Sequence, residues 1–120
     1  MIRHMDREIE KVQKQILTLC AVVESMVQQA VQSVSTRDSA QATQVINMDN
    51  EIDQSEVDIE EACLKILALY QPVAADLRYV IAILKINNDL ERIGDEAVNI
   101  AERSVFLANH ARITSPFDFC

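Results

Sequence analysis

Residues 66–76 read Ile66-Leu67-Ala68-Leu69-Tyr70-Gln71-Pro72-Val73-Ala74-Ala75-Asp76, and the interpretation of the whole chain turns on them. Apolar residues at helical spacing run into Tyr70-Gln71-Pro72 and resume beyond it. The stretch therefore predicts a helix, a tight joint and a second helix. Pro72 is expected in the first turn of the second helix, where its missing N–H costs nothing and its fixed φ suits helix entry. Two carboxylate pairs lie at mirrored distances from this joint: Asp53 and Glu91 are nineteen residues from Pro72, Asp49 and Asp95 twenty-three. With a shared rise of about 1.5 Å per residue, an antiparallel hairpin brings all four to the same height.

Outward from the joint, the preceding helix carries a seam at Val45, Ile52, Ile59 and Ile66, and the following one shows Ile83, Leu90 and Ala97 alternating with Ile86, Ile93 and Ile100 before fading near Asn109. An earlier helix, roughly residues 6–35, repeats Ile9, Ile16, Val23 and Ala30 at seven-residue spacing, with Val12, Leu19 and Met26 between them. The polar break Ser35-Thr36-Arg37-Asp38 supplies an N-cap for the second helix, from Asp38 or a neighbouring hydroxyl. Three long helices with short connections predict an all-α, antiparallel three-helix bundle with axes inclined by about 20°. The domain is expected over residues 1–110, with Thr114-Ser115-Pro116 marking a terminator or linker in a tail over 111–120.

Composition agrees with this and narrows the function. One glycine and two prolines in 120 residues favour long uninterrupted helices, and an aromatic content of 4% leaves few platforms for stacked nucleobases. A net charge of −8 argues against a phosphate-backbone binder, so nucleic acid is not an expected partner and a basic protein surface is easier to accommodate. Cys20, Cys63 and Cys120 show no paired spacing and read as free thiols in a reducing compartment. No apolar run reaches the roughly 18 residues of a membrane span, and no leader-like segment opens the chain; a soluble cytoplasmic protein is expected.

Asp49, Asp53, Glu56 and Glu60 form one stripe on the second helix, which by itself reads as a solvated acidic face. On the third helix Leu77, Leu84 and Val98 define an apolar line that Glu91 and Asp95 interrupt, with the lone glycine, Gly94, between them. Carboxylates inside an apolar line need a partner, and Gly94 would permit close approach of a backbone, a ligand or an ion. A facing cluster of carboxylates stays hydrated, takes up protons or holds a cation; all-oxygen donors favour Mg²⁺, Ca²⁺, Mn²⁺ or iron, as one ion or several. Asp49, Asp53, Glu91 and Asp95 are the candidate ligands, with Glu56 and Glu60 weaker, in an outer shell or solvated.

Arg78, Lys85 and Arg92 recur every seven residues on another face of the third helix. They read either as solvated charge with local salt bridges, such as Lys85 with Asp89, or as a docking stripe for an acidic partner surface. His4 and His110 are not spaced as catalytic bases and receive no role, so no catalytic residue is expected.

The stretches Gln71 to Arg78, Leu84-Lys85-Ile86 and Leu90-Glu91-Arg92-Ile93-Gly94-Asp95, with His4 to Glu10 and Asp49 to Glu61, resemble one repeat of the PhoU family over roughly residues 3–108. The resemblance implies a three-helix repeat with two metal-holding E(D)xxxD motifs, matched by Asp49–Asp53 and Glu91–Asp95, in some members with multinuclear clusters. It also implies a non-enzymatic adaptor between the phosphate ABC transporter and its sensor histidine kinase that suppresses the phosphate-starvation response. Family members typically carry two repeats and this chain matches one, so pairing into a homodimer is expected. Other readings are a metal-independent helical scaffold and a carboxylate-bridged di-iron enzyme, the latter lacking the Glu-x-x-His pairs such sites use.

Overall fold

The computed structural model describes residues 2–109 as three helices: α1 (Ile2–Thr36), α2 (Ser39–Tyr70) and α3 (Ala74–Asn109). All three pairs of helices are in contact. The Ser104 hydroxyl near the end of α3 donates to the Ser33 carbonyl near the end of α1 at 3.0 Å, so these two helices run in the same direction with α2 antiparallel between them. The expectations placed on residues 110–120, including His110, Cys120 and the tail, lie outside the described residues.

Both joints are closed by local backbone chemistry. At the end of α1, Arg37 adopts φ 57°. That left-handed residue lets the Asp38 N–H reach back to the Ser33 carbonyl at 3.1 Å, the same acceptor that takes the Ser104 hydroxyl. Asp38 then caps α2, its carboxylate accepting from the Gln41 N–H at 3.1 Å. At the second joint Gln71 is the left-handed residue, and Pro72 follows it where a helix cannot continue. α3 starts only at Ala74. Pro72 is thus a buried linker residue and not part of the first turn of α3, because the chain needs Val73 to reverse before its carbonyl accepts from Leu77 N.

The core is three rows with steps of three and four residues. On α1 the row is Val12, Ile16, Leu19, Val23, Met26, Ala30 and Ser33, all buried. On α2, Val45, Ile52, Ile59 and Ile66 are buried as expected, with Ala42 and Cys63. α3 departs from expectation. Its buried row is Val80, Ile83, Asn87, Leu90, Gly94, Ala97, Ala101 and Ser104, whereas Ile86 is 42% and Ile93 45% exposed. Small residues at Ala97 and Ala101 suit close packing of the three axes, and the branched isoleucines are left on the flank. With Tyr79 and Leu107, also exposed, Ile86 and Ile93 make a heptad-spaced apolar line along α3.

Candidate metal centre

The α2 row contains two carboxylates. Asp49 and Glu56 fall in the step pattern Ala42, Val45, Asp49, Ile52, Glu56, Ile59, Cys63, Ile66, so the helix that buries its aliphatic side turns both toward the bundle. Glu56 is only 4% exposed and Asp49 is half-buried, while Asp53 and Glu60, on the outer side of the stripe, are exposed. The solvated alternative for Glu56 is therefore corrected: the side chain occupies a core position. Glu91 and Asp95 on α3 are exposed, so they do not sit inside an apolar seam as the Leu77, Leu84, Val98 line implied. The flanking Leu84 and Val98 are only partly buried, which leaves that line at the edge of the core.

The mirrored register holds at the point where it can be read. Asn87, 2% exposed, donates from Nδ2 to the Glu56 main-chain carbonyl at 3.0 Å across 31 residues. The midpoint of that pair falls between Gln71 and Pro72, half a residue from the midpoint of Asp53/Glu91 and of Asp49/Asp95. Each pair is thus level across α2 and α3, but the two pairs are about one turn apart, so the expectation that all four share one height is corrected to two levels.

Electrostatics follow from this placement. Burial, then the neighbouring charges of Asp53 and Asp95, push the Asp49 carboxyl above its ordinary value, helped by a hydrogen bond shared with Asp53. Glu56 is pushed up to about 7, first by burial and then by Glu91, Asp53, Asp95 and Asp49. Asp53, Glu56, Val57, Glu60, Glu91 and Asp95 line a cleft of about 350 Å³ between α2 and α3. Glu56 Oε2 is buried there with no hydrogen-bond partner; the side-chain oxygen of Asn87, elsewhere in the core, is likewise buried and unpartnered. Buried acceptors without donors are costly until a proton, a water or a cation satisfies them. The donor set, all oxygen, fits a hard ion. Among the described residues, no three Asp, Glu, His or Cys side chains are already gathered around one point, so any ion would have to draw the exposed carboxylates inward.

The remaining candidates divide cleanly. Arg78, Lys85 and Arg92 are all exposed. Asp89 pairs with Arg92 at 2.9 Å instead of with Lys85. Gly94 is buried, yet a Cβ built on it meets nothing within 4 Å, so the expected close approach of another group is absent and open space lies beside it. His4 is exposed. Cys20 and Cys63 are free, and burial pushes the Cys63 thiol up to about 11. Among the described residues no helix is long and apolar enough to cross a membrane.

A family model described as the PhoU domain matches residues 16–104, which include every carboxylate of the cleft. The chain is similar to the phosphate-specific transport system accessory protein PhoU homolog of Aquifex aeolicus, 43% identical over 102 residues that make up 85% of this chain and 46% of that protein. It is 39% identical over 98 residues to the accessory protein PhoU of Escherichia coli K12, covering 82% of this chain and 41% of that one. The crystal structure of PhoU from Pseudomonas aeruginosa superposes with a TM-score of 0.85 at 43% identity, over 88% of this chain and 50% of that one. The chain spans less than half the length of these curated relatives.

Proposed function

Because the chain belongs to the PhoU family, we propose that it is a metal-binding regulatory accessory of phosphate uptake that works by docking and turns over no substrate. The observation that carries this reading is the α2–α3 cleft, lined by Asp53, Glu91, Asp95 and the buried Glu56, whose Oε2 has no partner, with Asp49 one turn from Asp53 on the same helix. Iron, Mn²⁺, Mg²⁺ or Ca²⁺, singly or clustered, would be held by these four carboxylates. Its contribution is charge neutralisation that joins α2 to α3. The names of the relatives point to the phosphate-specific transport system. In this reading the chain acts in the cytoplasm and meets the membrane only through partners: the transporter ATPase and a sensor histidine kinase whose starvation signal it represses. Arg78, Lys85 and Arg92 form the docking stripe, and a second copy covers the exposed apolar line of α3.

Ion binding to the native state raises the melting temperature. Glu91→Ala with Asp95→Ala is expected to abolish that rise while leaving helicity unchanged, and an undiminished metal response in the double variant overturns the assignment. The exposure of Asp53, Glu91 and Asp95 favours a second reading, a metal-independent helical scaffold with a solvated acidic face. Metal-independent melting of the wild-type chain would establish it.

A further inference from the structure

We propose that Glu56 is an inner-sphere ligand of the cation held in the α2–α3 cleft, a fifth carboxylate that anchors the ion from the core side while Asp53, Glu91 and Asp95 close over it from solvent. The inference deepens the metal-binding reading and rests on it. Its ground is the state of one atom. Glu56 is 4% exposed, lines the cleft, and its Oε2 has no partner. The group beneath it gives no relief: the hydrogen bond Asn87 makes goes to the Glu56 main-chain carbonyl, and the Asn87 side-chain oxygen is itself an unpartnered acceptor. Two buried acceptors therefore meet no donor, and of the two it is Glu56 that lines the cleft.

A proton on Glu56 would answer one of these acceptors but cancel a single charge beside four more carboxylates. A divalent cation answers Glu56 Oε2 directly, cancels two charges, and has further oxygen donors within the same cleft. Position supports the same assignment. Glu56 is three residues after Asp53, on the adjacent turn and closer to the bundle axis, so its longer side chain rises from the core row toward the exposed ligands. Exposed carboxylates alone make a weak, screened site; a ligand fixed by core packing on both sides, between Ile52 and Ile59, gives the ion a rigid point of attachment.

Mn²⁺ is the probe. The full chain is stripped with chelator, exchanged into about 0.15 M salt to screen non-specific attraction to its net negative surface, and titrated with Mn²⁺, the free ion being followed by electron paramagnetic resonance. Glu56→Gln is expected to weaken binding about tenfold or more, whereas Glu61→Gln, which removes an exposed charge outside the cleft, should alter it less than about threefold by screening. Glu56→Asp keeps the carboxylate but shortens its reach, and an intermediate loss is expected. If Glu56→Gln binds Mn²⁺ like the wild type while Glu91→Ala with Asp95→Ala does not bind, the four-carboxylate site stands and Glu56 is only a buried acid. Should the wild-type chain bind no Mn²⁺, both this inference and the metal reading fall.

Discussion

Glu56 should give the metal-free protein a pH-dependent stability that a single substitution removes. Its pKa rises from 4.5 in an exposed chain to about 7 in the fold. The folded chain therefore holds the proton over a range where the unfolded chain has released it. Stability is fullest below pH 4.5, falls as the pH rises toward 7, and levels off above, because only the folded state resists ionisation. At about 1.4 kcal/mol per unit the whole fall is worth about 3 kcal/mol, or roughly 10 °C in melting temperature for a domain of this size. Asp49, also raised, adds a smaller fall in the same direction at lower pH. Glu56→Gln carries no charge to bury, so its stability should vary less between about pH 5 and pH 8. It should exceed the wild type at the upper end by up to about 3 kcal/mol, reduced by about 1 kcal/mol or more if the new amide donors find no acceptor. Urea unfolding followed by far-ultraviolet circular dichroism, with chelator present, measures both. Parallel pH profiles for the two proteins would refute the reasoning, since the buried carboxyl would then be ionising without penalty.

Reversing Arg78, Lys85 and Arg92 to glutamate should leave helicity intact, as all three are exposed. It should weaken salt-sensitive binding to the transporter ATPase and the sensor kinase in a pull-down or calorimetric titration; unchanged binding to both reduces the stripe to a solvated face. Ile86→Glu with Ile93→Glu should convert a dimer to a monomer with little effect on unfolding, because both side chains are already exposed. Light scattering that finds the wild type monomeric at high micromolar concentration removes the basis of that expectation. Gly94→Ala places a methyl group where nothing lies within 4 Å; it should raise unfolding stability by about 1 kcal/mol through helix propensity alone. A loss of stability instead would mean that the helix uses the freedom of glycine at this point.

The helices and most of the core could be read from the chain because α1 and α2 each offer one dominant apolar row. The third helix offers several. Ile86 and Ile93 outscore Asn87 and Gly94 on hydrophobicity, yet the latter pair are buried: both fall on the three–four row with Ile83, Leu90 and Ala97, and Asn87 has the Glu56 carbonyl to satisfy. The level pairing of Asp49 with Asp95 and Asp53 with Glu91 follows from counting away from the joint. The burial of Glu56 was equally available: it fills the step of four between Ile52 and the step of three to Ile59. A carboxylate is ordinarily assigned to solvent on its charge, and that habit outweighs spacing unless the full three–four pattern is written out. Side-chain closure around an ion is absent from the sequence pattern altogether, because residue spacing fixes a helix face and a height but not the rotamers of exposed carboxylates.

The joint at Gln71-Pro72-Val73 is a ruler for chemistry carried out far from it. Its left-handed Gln71 and buried Pro72 set how α3 starts relative to α2, and the Asn87 clamp reads that setting sixteen residues from Gln71. One residue added to the joint, if not looped out, would advance α3 by about 1.5 Å and rotate it by about 100°. Asn87 would lose the Glu56 carbonyl, and Glu91 and Asp95 would swing away from Asp53 and Asp49. Loop length is usually the most freely varied dimension of a helical bundle; here it is a part of the site's coordination geometry, and variation in length is better tolerated at the other connection, where no carboxylate of the cleft depends on the count.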